Sequence, residues 1–215
     1  MSEPFDVFTL PLGPLQANCF VVVGADAGLV IDPGGEAQVV VDAFAEVGFA
    51  PSAVLVTHGH FDHVGGVAPL AAHYGIPVYA GKADAGEMAG GGLSGIAGFD
   101  VEPVKDPVLL EGERSLDLPF AVTAIPTPGH SRGSLTFATD GHLFVGDLLF
   151  HGSVGRTDLS GGDMDQLLDS VATLVRRFPP DTTVHCGHGP DTSLGRELAL
   201  NPFLSPLRHD PGHRW

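Results

Sequence analysis

The stretch His58-Gly59-His60-Phe61-Asp62-His63 decides how this chain is read. It follows the apolar run Val54-Leu55-Val56 and places three imidazoles and a carboxylate within one short loop. Imidazole and carboxylate together suit first-row divalent metals. Alternate side chains of an extended segment share a face, so His58 and His60 point the same way. Asp62 and His63 lie further on, where the chain turns into a helix. One loop can therefore serve two adjacent metal positions, whereas a solvated turn has no use for this pattern.

Three further candidates sit in Gly-rich settings: His130 in Pro128-Gly129-His130, Asp147 in Gly146-Asp147, and His188 in Gly187-His188-Gly189. Taken singly, a Gly-His or Gly-Asp pair is an ordinary turn. Joined to the first loop, they complete a set of five imidazoles and two carboxylates, enough for two metals. No cysteine joins the set, which argues against a closed structural zinc cage.

With 215 residues, 43% of them hydrophobic, the chain fits one domain over 1–215 with a substantial core. Its formal charge of −16 repels polyanions, so nucleic acid is not an expected partner. Bound cations would offset part of that charge. Cys19, in Cys19-Phe20-Val21-Val22-Val23, and Cys186 read as small core residues rather than a disulfide framework. The N-terminus, Met1-Ser2-Glu3-Pro4-Phe5-Asp6, lacks a basic region and an apolar signal core. No run approaches the ~20 apolar residues that span a bilayer, so a soluble cytoplasmic protein with no membrane partner is expected.

Short apolar runs between Gly and Pro turns predict strands at Val7–Leu10, Cys19–Val23, Leu29–Ile31, Val54–Val56 and Ile76–Ala80. A second series is predicted at Val108–Leu110, Ser115–Leu118, Ala121–Ile125, Leu135–Ala138, Leu143–Val145 and Thr183–His185. Helical spacing marks Ala37–Val47 and Val64–Tyr74, with Pro69 tolerated near the start of the latter. A third helix runs to Phe178 from an Asp163 N-cap. This order suggests crossovers and covered sheets. The Gly-rich part of 81–107, with Leu93, Ile96 and Phe99, reads as a mobile flap over a substrate or as a surface loop.

The motif set resembles the metallo-β-lactamase superfamily. Thr57-His58-Gly59-His60-Phe61-Asp62-His63 is similar to its signature loop. Thr127-Pro128-Gly129-His130-Ser131, Gly146-Asp147-Leu148-Leu149-Phe150 and Cys186-Gly187-His188 are similar to its later ligand loops, in the same order. The resemblance runs from Asn18-Cys19-Phe20 to Asn201-Pro202-Phe203-Leu204. It implies an α/β fold, an αββα sandwich with the metals at one sheet edge. It also implies that His58, His60 and His130 hold one metal, that Asp62, His63 and His188 hold the other, and that Asp147 bridges. Two divalent ions are expected, zinc first, with iron or manganese accepted by the same ligands. A water between them would lose a proton near neutral pH and become the nucleophile, with Asp62 as the catalytic residue that orients it.

Within the superfamily the chain looks most like compact bacterial glyoxalase II hydrolases, through Gly152-Ser153-Val154-Gly155-Arg156-Thr157-Asp158 and Gly187-His188-Gly189-Pro190. The implied substrate is a small-molecule thioester, a 2-hydroxyacyl-thiol such as S-lactoylglutathione. Larger glyoxalase II enzymes place tyrosines beside glutathione where this chain has Asp158 and Pro190, and a lysine where it has Arg156. Arg156 is therefore expected to bind the anionic end of the substrate, with an ion pair to Asp158 as the competing reading. Arg196, Arg208 and Arg214 read as solvated surface charge. The alternative function is a persulfide dioxygenase with one iron on His58, His130 and Asp147; a regulatory protein that merely keeps the scaffold is a third possibility.

Overall fold

Residues 17–23 form a strand that is apolar on both faces, and the two faces enter different cores. Cys19 and Val21 join a cluster with Val40, Phe44, Val67 and Leu70 from helices, whereas Phe20 and Val22 join one with Val122, Ala124, Phe137 and Phe144 from a second sheet. A strand buried on both sides needs a layer on each side. The structure, a computed structural model, describes residues 5–91 and 101–209.

The first sheet runs β1 (Asp6–Leu12), β2 (Ala17–Val23), β3 (Gly28–Ile31), β4 (Val54–Leu55), β5 (Val78–Gly81) and β6 (Val108–Leu110) in spatial order. It is antiparallel up to β3 and parallel thereafter. The second sheet contains β7 (Arg114–Leu116), β8 (Val122–Pro126), β9 (Leu135–Thr139), β10 (His142–Gly146), β13 (Thr183–Cys186) and β14 (Thr192–Ser193). Its spatial order is β14-β13-β10-β9-β8-β7. A separate hairpin pairs β11 (Leu149–Phe150) with β12 (Ser153–Val154).

Helices α1 (Ala37–Val47), α2 (Phe61–Val64) and α3 (Val67–Tyr74) cover the outer face of the first sheet, and α4 (Ala85–Ala89) adds Met88 to that cluster. Helices α5 (Met164–Arg177) and α6 (Leu194–Leu200) cover the second sheet, through Leu167, Val171, Leu174, Leu194 and Leu198. The layers are therefore αββα. Complete burial of Phe20, Phe137 and Phe144 between the sheets contributes about 1.5–3 kcal/mol each. A 3₁₀ tail, Pro202–His209, packs Leu204 and Leu207 on the second sheet's outer cluster. No helix among the described residues is long and apolar enough to cross a membrane.

The predicted strands are present, most with ends shifted by one or two residues. Asp163 caps α5 by accepting from the Gln166 amide at 3.0 Å. The helix expected over Val64–Tyr74 instead starts at Phe61 and is broken between α2 and α3. The break is where Gly65 and Gly66 pass against backbone: a Cβ there would lie 2.4 Å from the Gly34 carbonyl oxygen and 2.3 Å from that of Gly35. The β11–β12 hairpin, β14, α4, α6 and the 3₁₀ tail were not anticipated. The flap candidates Leu93, Ile96 and Phe99 lie outside the described residues, as does Arg214.

Candidate metal centre

β8, β10 and β13 run the same way, so their carboxyl ends reach one edge of the second sheet. His130 follows β8, Asp147 follows β10, and His188 follows β13. From the first sheet, β4 delivers His58 and His60, and the first turn of α2 delivers Asp62 and His63. The Leu135 amide donates to the Thr57 carbonyl at 2.8 Å and joins the two sheets beside the site. All the candidate ligands named from the sequence therefore meet at one edge.

They meet in two groups. Ligand atoms of His58, His60 and His130 lie within 4.8 Å of one another, as do those of Asp62, His63 and His188. Asp147 faces both: Oδ2 is 3.7 Å from His130 Nε2 and 3.7 Å from His188 Nε2, while Oδ1 is 3.4 Å from His63 Nε2. His188 Nε2 is 3.2 Å from Asp62 Oδ2. Burial closes the site on the His58 side, and the side chain of His188, 29% exposed, marks its open side.

The hydrogen bonds set the imidazole tautomers. His130 Nδ1 is 2.7 Å from the Arg156 carbonyl, which can only accept, so Nδ1 carries the proton. His63 Nδ1 donates to Asp32 Oδ2 at 2.9 Å. The Thr57 hydroxyl donates to Asp32 Oδ2, so its oxygen accepts from His58 Nδ1 at 3.0 Å. In each ring a proton sits on the outer nitrogen; the Nε2 lone pairs of His58 and His130 are turned inward, and His63 Nε2, which faces Asp147, offers its lone pair once it gives up a second proton. His58 Nε2, His63 Nε2 and Asp147 Oδ1 are buried and have no hydrogen-bond partner. His60 Nδ1 faces His130 Nε2 at 2.8 Å, two imidazole nitrogens pointed at each other. Stranded buried polar atoms cost stability unless a cation satisfies them, so the residues fit a pair of divalent ions.

Electrostatics agree with that fit. Burial and the neighbouring His63, His130 and His60 push the His58 imidazole well below its ordinary range. Burial and His130 take His60 down to about 4. Both rings are thus neutral at neutral pH. Burial opposes charge on His63 as well, but the Asp147 and Asp32 carboxylates outweigh it and hold its proton well above the usual range. Burial likewise works against ionised Asp147, yet His63, His130 and His188 keep its carboxyl well below the usual range. Gly187 leaves the centre open, for a Cβ there would stand 2.3 Å from Asp147 Oδ1.

Three supporting residues were not singled out from the sequence. Asp32, directly after β3, joins His58 and His63 into a third close group. Its oxygens are committed to Thr57 and to the outer nitrogen of His63, so it orients rather than ligates. Its backbone φ of 49° is strained for a residue with a side chain. Asp84, just ahead of α4, accepts from the Gly59 amide at 3.0 Å, the Gly133 amide at 2.6 Å and the Ser131 hydroxyl at 2.6 Å. It thereby ties the His58–His60 loop to the His130 loop. Asn18 Nδ2 donates to the Cys186 and Gly189 carbonyls, each at 2.8 Å, and steadies the His188 loop.

A cavity of about 500 Å³ opens from the ligand atoms and is walled by Leu15, Phe61, Phe150, Val154, Arg156 and Leu159. Arg156 forks Asp158 there, Nε to Oδ1 at 2.7 Å and Nη2 to Oδ2 at 2.8 Å, and holds the Asp158 carboxyl down at about 2. Cys19 and Cys186 are buried free thiols whose pKa values burial raises, that of Cys186 to about 12, so both are inert. Of the tail arginines, Arg196 and Arg208 are not simply solvated. Arg196 pairs with buried Glu197, and Arg208 donates to the carbonyls of Leu198 at 2.6 Å and Asn201 at 2.7 Å.

The model of the metallo-beta-lactamase superfamily matches residues 12–188. Among curated proteins the chain is 38% identical over 202 residues to the probable metallo-hydrolase YqgX of Bacillus subtilis, covering 91% of this chain and 96% of that protein. It is 32% identical over 205 residues to the hydroxyacylglutathione hydrolase GloC of Haemophilus influenzae, covering 91% and 96%. Among solved structures, TTHA1623 in a di-iron-bound form has a TM-score of 0.85 at 42% identity, covering 92% of this chain and 100% of that one. BLEG-1 B3 metallo-beta-lactamase has a TM-score of 0.88 at 36% identity, covering 93% and 100%.

Proposed function

This chain belongs to the metallo-beta-lactamase superfamily, and we propose that it is a metal-dependent thioester hydrolase of the glyoxalase II type, acting on S-(2-hydroxyacyl)glutathione or a related acyl-thiol. Hydrolase activity is what the family supports; the thioester is the finer step. The observation that carries the reading is Asp147, whose carboxylate faces His63, His130 and His188 at once. A single ion would leave one of the two ligand groups unused.

In this reading His58, His60 and His130 hold one ion, Asp62, His63 and His188 hold the other, and Asp147 serves both. Two divalent ions there would supply Lewis acidity toward a carbonyl oxygen and a water acidified to near-neutral pKa. Asp62 stays ionised, because His188 and His63 outweigh its burial, and its Oδ2 points at the open side of the centre. It is placed to accept and orient a proton there as a thioester carbonyl is attacked, so no serine or cysteine nucleophile is required. The Asp32 and Arg156-carbonyl hydrogen bonds keep the imidazoles aimed through the reaction. Arg156, at the cavity wall and largely exposed, meets a substrate carboxylate by exchanging Asp158 for it.

The test is metal content per chain, followed by turnover of S-lactoylglutathione and of a chromogenic β-lactam. Two ions per chain with thioester cleavage is the expected result. One iron per chain with persulfide-dependent oxygen uptake would replace the reading by the dioxygenase, and cleavage of the lactam alone would replace the substrate class.

A further inference from the structure

Resting on the thioester reading, we infer that the site selects acyl-thiols whose body beside the sulfur is apolar and uncharged, in preference to a thiol with two carboxylates such as glutathione. The cavity that opens from His60, Asp62, His130, Asp147 and His188 has walls of Leu15, Phe61, Phe150, Val154 and Leu159. Leu15, in the turn between β1 and β2, is 53% exposed. Phe150 places its ring 6.1 Å from that of His188, so the apolar wall starts beside the proposed reacting atoms. A wall of this kind gains free energy from hydrocarbon and gives nothing to a hydrated carboxylate.

Charge points the same way. Apart from histidine, Arg156 is the only cation among the described residues that line the cavity, and Asp158 occupies two of its nitrogens. A second carboxylate would therefore enter a chain of formal charge −16 with no further cation among the described lining residues to receive it. The wall is also held in place. Glu197, fully buried, accepts from the Gly152 amide at 2.8 Å, and Asn201 Nδ2 donates to the Ser153 carbonyl at 2.9 Å. These bonds fasten the β11–β12 hairpin, which carries Phe150 and Val154, to α6 and the residue that follows it.

The experiment keeps the lactoyl group constant and varies the thiol: glutathione, then propyl, butyl, pentyl and hexyl mercaptan, with the zinc-loaded full chain. We expect kcat/KM to rise about fourfold per methylene, roughly 60-fold from propyl to hexyl, and to place glutathione below hexyl. The product thiols, titrated calorimetrically without turnover, should bind in the same order. Leu15→Lys combined with Leu159→Lys, both at the cavity rim, should flatten the alkyl series and raise the glutathione thioester. A flat alkyl series with the glutathione thioester best would overturn the inference and leave the hydrolase standing. Failure to cleave any of the thioesters would sink the hydrolase reading and the inference with it.

Discussion

Asp32 Oδ2 lies 2.9 Å from His63 Nδ1, and both side chains are shut off from solvent. The same carboxylate receives the Thr57 amide at 2.7 Å and the Thr57 hydroxyl, which in turn accepts from His58. One buried carboxylate thus sets an imidazole in each of the two ligand groups. Outer partners of this kind fix ring orientation and raise ligand basicity.

Asp32→Ala should weaken metal affinity about 10–100-fold, because His63 and His58 both lose the group that orients them. Metal titration monitored by calorimetry reads it. Unchanged affinity would show that packing alone aims the two rings.

Asp147→Ala should lower turnover by several orders of magnitude, since both ligand groups lose their shared anion. His188→Ala should empty mainly one position and His58→Ala mainly the other, as seen by anomalous scattering at the metal edges. Loss of the same ion in both variants would refute the split.

Chelation should lower the melting temperature, and added metal should restore it; an ion at 1,000 times its Kd contributes about 4 kcal/mol. Loading should also release protons. In the metal-free chain the folded pKa of His63 is raised, so its contribution to stability is complete below the ordinary imidazole range and is lost as pH rises through the raised value. Metal must displace that proton, so apparent affinity increases with pH until His63 is neutral. Calorimetry in two buffers of different ionisation enthalpy measures the release; identical heats would contradict it.

The ligands were legible because their residue types are unusual and their order is kept along the chain. The strands were legible because runs such as Cys19–Val23 and Leu143–Val145 are apolar on both faces, and the αββα layering explains why. Asp32 and Asp84 were not legible. An aspartate after a strand looks like any turn, and its partners, His63 and Thr57 or Gly133 and Ser131, are distant in sequence. The β11–β12 hairpin escaped because its strands are too short for a period to register. Arg156-Thr157-Asp158 was read as either a substrate contact or an ion pair, and the structure contains the ion pair at the wall of the cavity.

Asp84→Ala should destabilise the fold by about 1–3 kcal/mol for each stranded donor, the Gly59 and Gly133 amides, and loosen the His58–His60–His130 group. Asp84→Asn keeps the shape and part of the acceptor capacity, so it should recover most of the stability. Thermal melts paired with metal content separate the two effects. Wild-type metal binding in Asp84→Ala would show that the loops hold their spacing without it.

Arg156 and Asp158 give the sharpest test of how the cavity treats charge. Both side chains are exposed, 61% and 69%, so the pair is screened and can be exchanged for a substrate carboxylate. If a carboxylate displaces Asp158, then Arg156→Ala should raise KM for anionic thioesters and leave neutral ones unchanged, with metal content intact. Asp158→Ala should do the reverse, lowering KM for anionic thioesters about two- to fivefold, because the guanidinium no longer has to leave a partner. A purely structural pair predicts something else: both variants would lose rate equally on charged and neutral substrates and melt at lower temperature. Opposite shifts in KM from the two variants, confined to anionic substrates, therefore assign Arg156 to the substrate. Parallel losses assign the pair to the loop that also holds His130 through the Arg156 carbonyl.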